Sequence, residues 1–256
     1  MIVPELDGGL GNQMFQIAAA YGHARKVNDG FAVNYNHKQP TPSQGHLFTR
    51  YKDTVYKTVP HTNNVPHEIY QEPRFKYQPI PEKKNLRLRG YFQCEKHFEH
   101  VSNEVKSLFS IPRFDRDSFY NSGSSVRKEI IITAHIRRGD YIKKKQFHNV
   151  LGIEYYQKAL EVLDAKHYKL IIVTDAPEQV RKEFSSLNNM IYQGSNEVED
   201  FSVLMSGHYI IGANSSFSWW ASYLGTPEKC VFPSQWFGPL GPKHTEGLYR
   251  NDMIVV

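Results

Sequence analysis

The spacing of apolar and polar positions changes character along the chain. Ile2–Leu6 is a short, mostly apolar run that leads into Asp7-Gly8-Gly9-Leu10-Gly11, and Asn12 then opens an apolar, alanine-rich segment reaching Ala24. With a second run at Phe31–Tyr35, this predicts strand, tight loop, helix, strand, the opening of a doubly wound α/β unit. From Lys38 to Lys84 no period is sustained, and Pro, His, Asn and Tyr dominate. A structureless connection of that length is uncommon, so short strands or helical turns that cover a cleft are expected there. Leu86–Phe92 predicts a strand, Phe98–Phe109 a helix stopped by Pro112, and Tyr120–Ser125 a linker.

Beyond that point the alternation is regular. Glu129–Ile136, Tyr168–Thr174, Met190–Tyr192, Tyr209–Gly212 and Cys230–Phe232 read as strands, the fifth as the last of the chain. Glu154–Ala165, Pro177–Phe184, Val198–Met205 and Ser215–Leu224 read as helices between them, and the residues after Ile136 as a basic loop. Strands that alternate with helices imply a parallel sheet with ligands at the strands' carboxyl ends. The expected architecture is α/β, with two Rossmann-like domains facing across a cleft and a boundary between residues 120 and 121.

Composition narrows the classes. At 256 residues with 40% hydrophobic and 22% charged positions, the chain has a globular composition rather than that of a disordered one. The net charge of +5 comes from scattered basic residues; Lys143-Lys144-Lys145 and Lys83-Lys84 are short clusters that a solvated surface explains, so no nucleic-acid partner is expected. Two cysteines, Cys94 and Cys230, cannot make a disulfide framework or a four-ligand zinc site. No apolar run approaches the ~20 residues of a membrane-spanning helix, and nothing resembles a signal peptide. The expectation is a soluble cytoplasmic protein, or a catalytic fragment of a longer one.

Three stretches at strand ends carry candidate chemistry. Gly8-Gly9-Leu10-Gly11-Asn12-Gln13 is either a tight strand-to-helix turn capped by Asn12 or a ligand loop whose amides suit sugar hydroxyls or phosphate. His135-Ile136-Arg137-Arg138-Gly139-Asp140-Tyr141 puts two arginines at a strand end: one can fork onto phosphate, while the other pairs with a carboxylate such as Asp140. An internal ion pair that caps the strand is the competing explanation. The third is Glu199-Asp200-Phe201 with Asn214-Ser215-Ser216-Phe217-Ser218-Trp219-Trp220, either a plain helix cap or a phosphate seat; the tryptophans are expected in the core. Asp115-Arg116-Asp117 matches a metal-binding pattern but reads better as acids at a helix start.

Together these stretches, with Asp-Phe-Ser-Val-Leu-Met at 200–205, resemble the α-1,2-fucosyltransferase family in order and separation across most of the chain. Gly90-Tyr91-Phe92-Gln93, Pro233 and Trp236-Phe237 are weaker landmarks of the same kind. The resemblance implies a GT-B-type fold, with residues 1–120 on the acceptor side and 121–256 holding GDP-fucose. It implies inversion at the anomeric carbon with no cofactor and no essential metal, and a glycan acceptor. Carried over by residue, Arg137 holds the β-phosphate, His135 and Asp200 sit near guanine or ribose, and Ser215, Ser216 and Phe217 line the diphosphate. Gly9, Gly11, Asn12, Gln13, Asp140 and Asn214 complete the candidate GDP-sugar site. A general base for the acceptor hydroxyl is sought among Asp7, His148 and Glu154, with His148 preferred. Another GDP-sugar or linkage, a non-catalytic nucleotide-binding protein and a lectin-like homologue are the alternatives.

Overall fold

The computed structural model describes residues 1–36, 48–115 and 129–256. These residues form two compact units, 1–111 with 244–250 and 112–243 with 251–256. The stretch 244–250 thus belongs to the first unit, which a single cut between residues 120 and 121 does not provide. Tyr120–Ser125, Arg116 and Asp117 lie outside the described residues.

The first unit is built on a small parallel sheet. Its strands are β1 (Val3–Pro4), β2 (Ile69–Gln71) and β3 (Arg87–Arg89), in the order β1-β3-β2. The run at 31–35 does not become a full strand; it contributes only isolated bridges, Ile2 to Phe31 and Val33 to His61. Helix α1 (Leu10–Lys26) follows β1 and is buried along most of its length, with Met14, Phe15, Ile17 and Ala18–Ala20 fully enclosed. Small residues let it approach its neighbours closely: a Cβ on Gly22 would stand 2.3 Å from the His97 carbonyl oxygen. The helix expected from Phe98 is shorter, α2 (Ser102–Leu108), preceded by two 3-10 turns at Glu95–His97 and Glu99–Val101. Buried Glu5 pairs with Arg87 and Arg89 of the neighbouring strand.

The second unit holds a six-stranded sheet, entirely parallel. Its strands are β4 (Ile130–Ile136), β5 (Tyr168–Thr174), β6 (Asn189–Tyr192), β7 (Tyr209–Ile211), β8 (Lys229–Phe232) and β9 (Met253–Val255). Their spatial order, β6-β5-β4-β7-β8-β9, is the doubly wound order in which chain direction reverses beside the first strand. β4 is a near-continuous apolar run because both faces of a parallel sheet are covered. The connecting helices are α3 (Gly139–Lys143), α4 (Ile153–Leu163), α5 (Pro177–Glu183), α6 (Glu197–Met205) and α7 (Ser216–Gly225). The expected basic loop after Ile136 therefore contains a helical turn, and Phe232 does not end the last strand, because β9 follows. Trp219 and Trp220 are fully buried, as is Phe201.

Candidate functional site at the switch point of the second sheet

Strand order reverses between β4 and β7. The connections leaving their carboxyl ends run in opposite directions and open a crevice between them, the usual ligand position in such sheets. Residues 135–141 leave β4 there, and residues 212–217 leave β7.

Arg137 is the cation at this mouth, with its side chain 28% exposed. Its Nε and Nη2 donate to Asp140 Oδ1 at 3.1 and 2.7 Å, and Nη1 lies 3.0 Å from Asp175 Oδ2. Burial opposes its charge, but Asp175 and Asp140 outweigh that and raise its pKa. The expected partition of the two arginines is corrected here. Asp140 pairs with Arg137, whereas Arg138 is buried, donates from Nε to Glu183 at 2.8 Å and lies over the Phe184 ring. Arg138 thus anchors the loop to α5.

Asp175, which sequence reasoning missed, organises the turn. Strands β4 and β5 pair in register, with Ile136 beside Thr174, so residues 137 and 175 emerge as neighbours. Asp175 Oδ1 accepts the Arg138 backbone N–H at 2.8 Å while Oδ2 faces Arg137. A Cβ on Gly139 would come within 2.4 Å of Asp175 Oδ2, so a larger residue there would push that carboxylate from its place beside Arg137. The available signal was an acid directly after a buried strand.

From β7, Asn214 is buried and its Nδ2 donates to the carbonyls of Asn149 and Trp236 at 2.9 and 2.6 Å. Its side chain therefore holds loops together, and its carbonyl accepts the Tyr141 hydroxyl at 2.8 Å, tying the two loops. Ser215 caps α7 by accepting the Phe217 N–H. Ser215, Ser216 and Phe217 are half-exposed. Phe217 lies 5.2 Å from the His135 ring and 5.0 Å from Phe201. His135 is almost fully buried, its Nδ1 has no hydrogen-bond partner among the described residues, and burial followed by the charge of Arg137 lowers its pKa to about 3. It is a neutral imidazole. Asp200, in the first turn of α6, accepts the Gly194 N–H at 2.8 Å, and its pKa is raised by burial. The structure thus gathers His135, Arg137, Asp140, Asn214, Ser215, Ser216 and Phe217 around one crevice, with Asp200 preceding the phenylalanine that packs on Phe217.

His148 stacks on Tyr141 with ring centres 4.0 Å apart, and burial lowers its pKa despite nearby Asp140. Glu154 is exposed in the first turn of α4. Among the described residues no group of His, Cys, Asp and Glu is arranged to hold a metal ion, and no helix is long and apolar enough to cross a membrane.

In the first unit the glycine loop is bound into its own fold. Gly9 rather than Asn12 occupies the cap position of α1, and Gly11 lies buried inside the helix. Gln13 is fully buried and its Nε2 donates to the Gly8 carbonyl at 2.9 Å. Gln16 accepts the Asp7 N–H and donates to the Gly90 carbonyl, and the Tyr91 hydroxyl donates to Asp7 Oδ2 at 3.0 Å. Asn12 Oδ1 accepts from Gln93 Nε2 at 2.8 Å. These bonds join the carboxyl ends of β1 and β3.

Known proteins resemble this chain in sequence and in fold. An α-1,2-colitosyltransferase of Escherichia coli is 24% identical over 93% of this chain and 92% of its own length. A galactoside 2-alpha-L-fucosyltransferase, SEC1 of Bos taurus, is 27% identical over 85% of this chain and 62% of its own length. The solved structure of NodZ α-1,6-fucosyltransferase from Bradyrhizobium superposes with a TM-score of 0.56 at 13% identity, covering 95% of this chain and 96% of that one. The likeness to NodZ places both parallel sheets in an α/β, GT-B-like fold. The family profile described as glycosyl transferase family 11 matches residues 2–232, and on that match the chain belongs to this family of α-1,2-fucosyltransferases.

Proposed function

We propose that the protein transfers L-fucose from GDP-fucose to the 2-hydroxyl of a galactose-type acceptor, with inversion and without an essential metal. The observation that carries this is Arg137: a guanidinium pre-set by two carboxylates at the mouth of a switch-point crevice. A phosphate oxygen approaching there meets an oriented fork, and the half-exposed Ser215, Ser216 and Phe217 supply hydroxyls and a helix start beside it. As the bond from the sugar's C1 to the diphosphate oxygen breaks, negative charge grows on the leaving group, and a fixed cation stabilises that change without reorganising. The acceptor oxygen attacks C1 from the opposite face, and its proton passes to a base. Neutral His148 is suited to that role, because its lowered pKa leaves the imidazole free to accept. Asp200 is placed in this reading to take both donors on the guanine edge, which disfavours adenine.

The relatives support the donor and linkage: the NodZ structure was soaked with GDP-fucose, and the bovine relative is named for galactoside 2-fucosylation. The colitosyltransferase favours a second reading, in which the same linkage is made from a donor with another sugar. Calorimetry against GDP, GDP-fucose, GDP-mannose and UDP-galactose, followed by transfer to lactose with and without EDTA, separates these. Guanine-nucleotide binding and EDTA-resistant fucosyl transfer are expected. Preference for UDP-galactose, or loss of transfer in EDTA, contradicts the proposal.

A further inference from the structure

The first unit contains a cleft lined by Glu72, Phe75, Tyr77, Gln93, Thr245 and Leu248. It lies next to the loop Gly90–Gln93 that leaves β3, and the turn at 244–248 closes one side. A Cβ on Gly247 would stand 3.1 Å from Cys94 Sγ, so that turn sits directly on the loop. Two polar side chains in the cleft are held by one end and open at the other. Glu72 Oε2 accepts the backbone N–H groups of Tyr91 and Phe92 at 2.7 and 3.1 Å. Its second oxygen, Oε1, has no hydrogen-bond partner among the described residues. The carboxylate is pressed into place because Gly90, at φ +148°, lets the chain pass where any Cβ would lie 2.4 Å from the Glu72 Cβ. Gln93 is fixed through its Nε2, which donates to Asn12 Oδ1 at 2.8 Å; its amide oxygen too lacks a partner among the described residues.

The cleft therefore presents two anchored acceptors, one of them charged, beside the rings of Phe75 and Tyr77. Anchored acceptors select hydrogen-bond donors, and aromatic rings cover the apolar C–H face of a sugar ring. A phosphate would meet the Glu72 carboxylate. The cations that also line the cleft, Lys76 and His244, are exposed and lie near Glu246 instead. The enclosed space is only about 10 Å³, little more than a water occupies, so a sugar ring would lie across the mouth of the cleft rather than inside it.

From this juxtaposition we infer that the cleft is a binding subsite for a neutral, hydroxyl-rich saccharide, gripped by Glu72 Oε1 and Gln93 Oε1, and that Asn12 serves it by orienting Gln93 rather than by touching the nucleotide donor. This rests on the proposed transferase reading for its identification with the acceptor, although saccharide binding can be measured without a donor.

The test uses the whole chain and saturation-transfer NMR with lactose and N-acetyllactosamine as probes, for wild type, Glu72→Gln and Gln93→Ala. GDP titration of each protein runs in parallel. Saturation transfer to the galactose ring is expected in the wild type. Each substitution removes one acceptor and is expected to weaken the signal's apparent affinity roughly tenfold or more. Asn12→Ala is expected to weaken lactose binding less than Gln93→Ala while leaving the GDP affinity within about twofold of wild type. No saturation transfer in the wild type, lactose affinity unchanged in both acceptor variants, or loss of GDP rather than lactose binding in Asn12→Ala overturns the inference. Failure of the wild type to bind GDP would instead overturn the transferase reading, and the lactose result would stand separately.

Discussion

The two units solve the same topological problem with different amounts of regular structure. The second has six parallel strands, five of them announced by apolar runs, and its candidate site lies where strand order reverses. The first has three strands of two or three residues, and irregular chain makes up much of the rest. A diphosphate donor is a fixed chemical object, and a rigid sheet with one oriented guanidinium meets it well. A cleft built from turns, cross-loop amide bonds and two anchored acceptors can be altered without disturbing a sheet. Stability and donor chemistry are thus expected to concentrate in the second unit, and acceptor choice in the first.

The largest expected effect tests where stability resides. Trp219→Ala removes a fully buried ring stacked on Tyr223, and should cost about 3–5 kcal/mol in urea unfolding. An equal loss from Tyr51→Ala in the first unit, which is also fully buried, would erase the contrast. Next, Arg137→Ala should lower kcat/KM for fucosyl transfer by about 10²–10³, roughly 2.7–4 kcal/mol, and weaken GDP binding with an unchanged far-UV spectrum. Retention of transfer would break the assignment of donor chemistry to the β4 loop.

Acid sensitivity sharpens the comparison further. His97 in the first unit is held near pKa 4 by burial and then by His23, against an ordinary value of 6.5. Its folded pKa is depressed, so its contribution to stability is complete above about pH 6.5 and is lost progressively as pH falls toward 4. Unfolding free energy should therefore decline across that window, and His97→Phe should flatten the slope. His135 in the second unit, near 3, keeps losing stability to lower pH, so the His97→Phe protein should retain that deeper limb. The smallest effect concerns Thr226, a β-branched residue at φ +48° that ends α7. Thr226→Gly relieves the left-handed strain at some cost in chain entropy, for a net gain of about 0.5 kcal/mol in thermal unfolding.

The second unit was legible because buried strands in a parallel sheet leave continuous apolar runs; Tyr168–Thr174 was read with its observed limits. β9 was not, because Met253–Val255 follows some twenty residues without a period, and a three-residue edge strand leaves no pattern. In the first unit, Phe31–Tyr35 looked like a strand but pairs only at single bridges, since the alternation of apolar residues does not specify whether a neighbour lies alongside. At the candidate site, the arginine pair was visible but its division of labour was not. The Arg138 partner, Glu183, is 45 residues away on another helix, and only the packed structure brings them together. Asp175 escaped for the same reason: what makes it important is the strand beside it. The anchored state of Glu72 and Gln93 was equally hidden, since it depends on backbone groups of one loop and the side chain of another.

The contact between Gly139 and Asp175 carries an evolutionary corollary. An alanine at position 139 would force the Asp175 carboxylate to shift, because the added Cβ would stand 2.4 Å from Oδ2. Change at one place therefore bears on the other: Gly139→Ala ought to be tolerated more readily once residue 175 is shortened to serine, in a protein that has surrendered half the grip on its arginine.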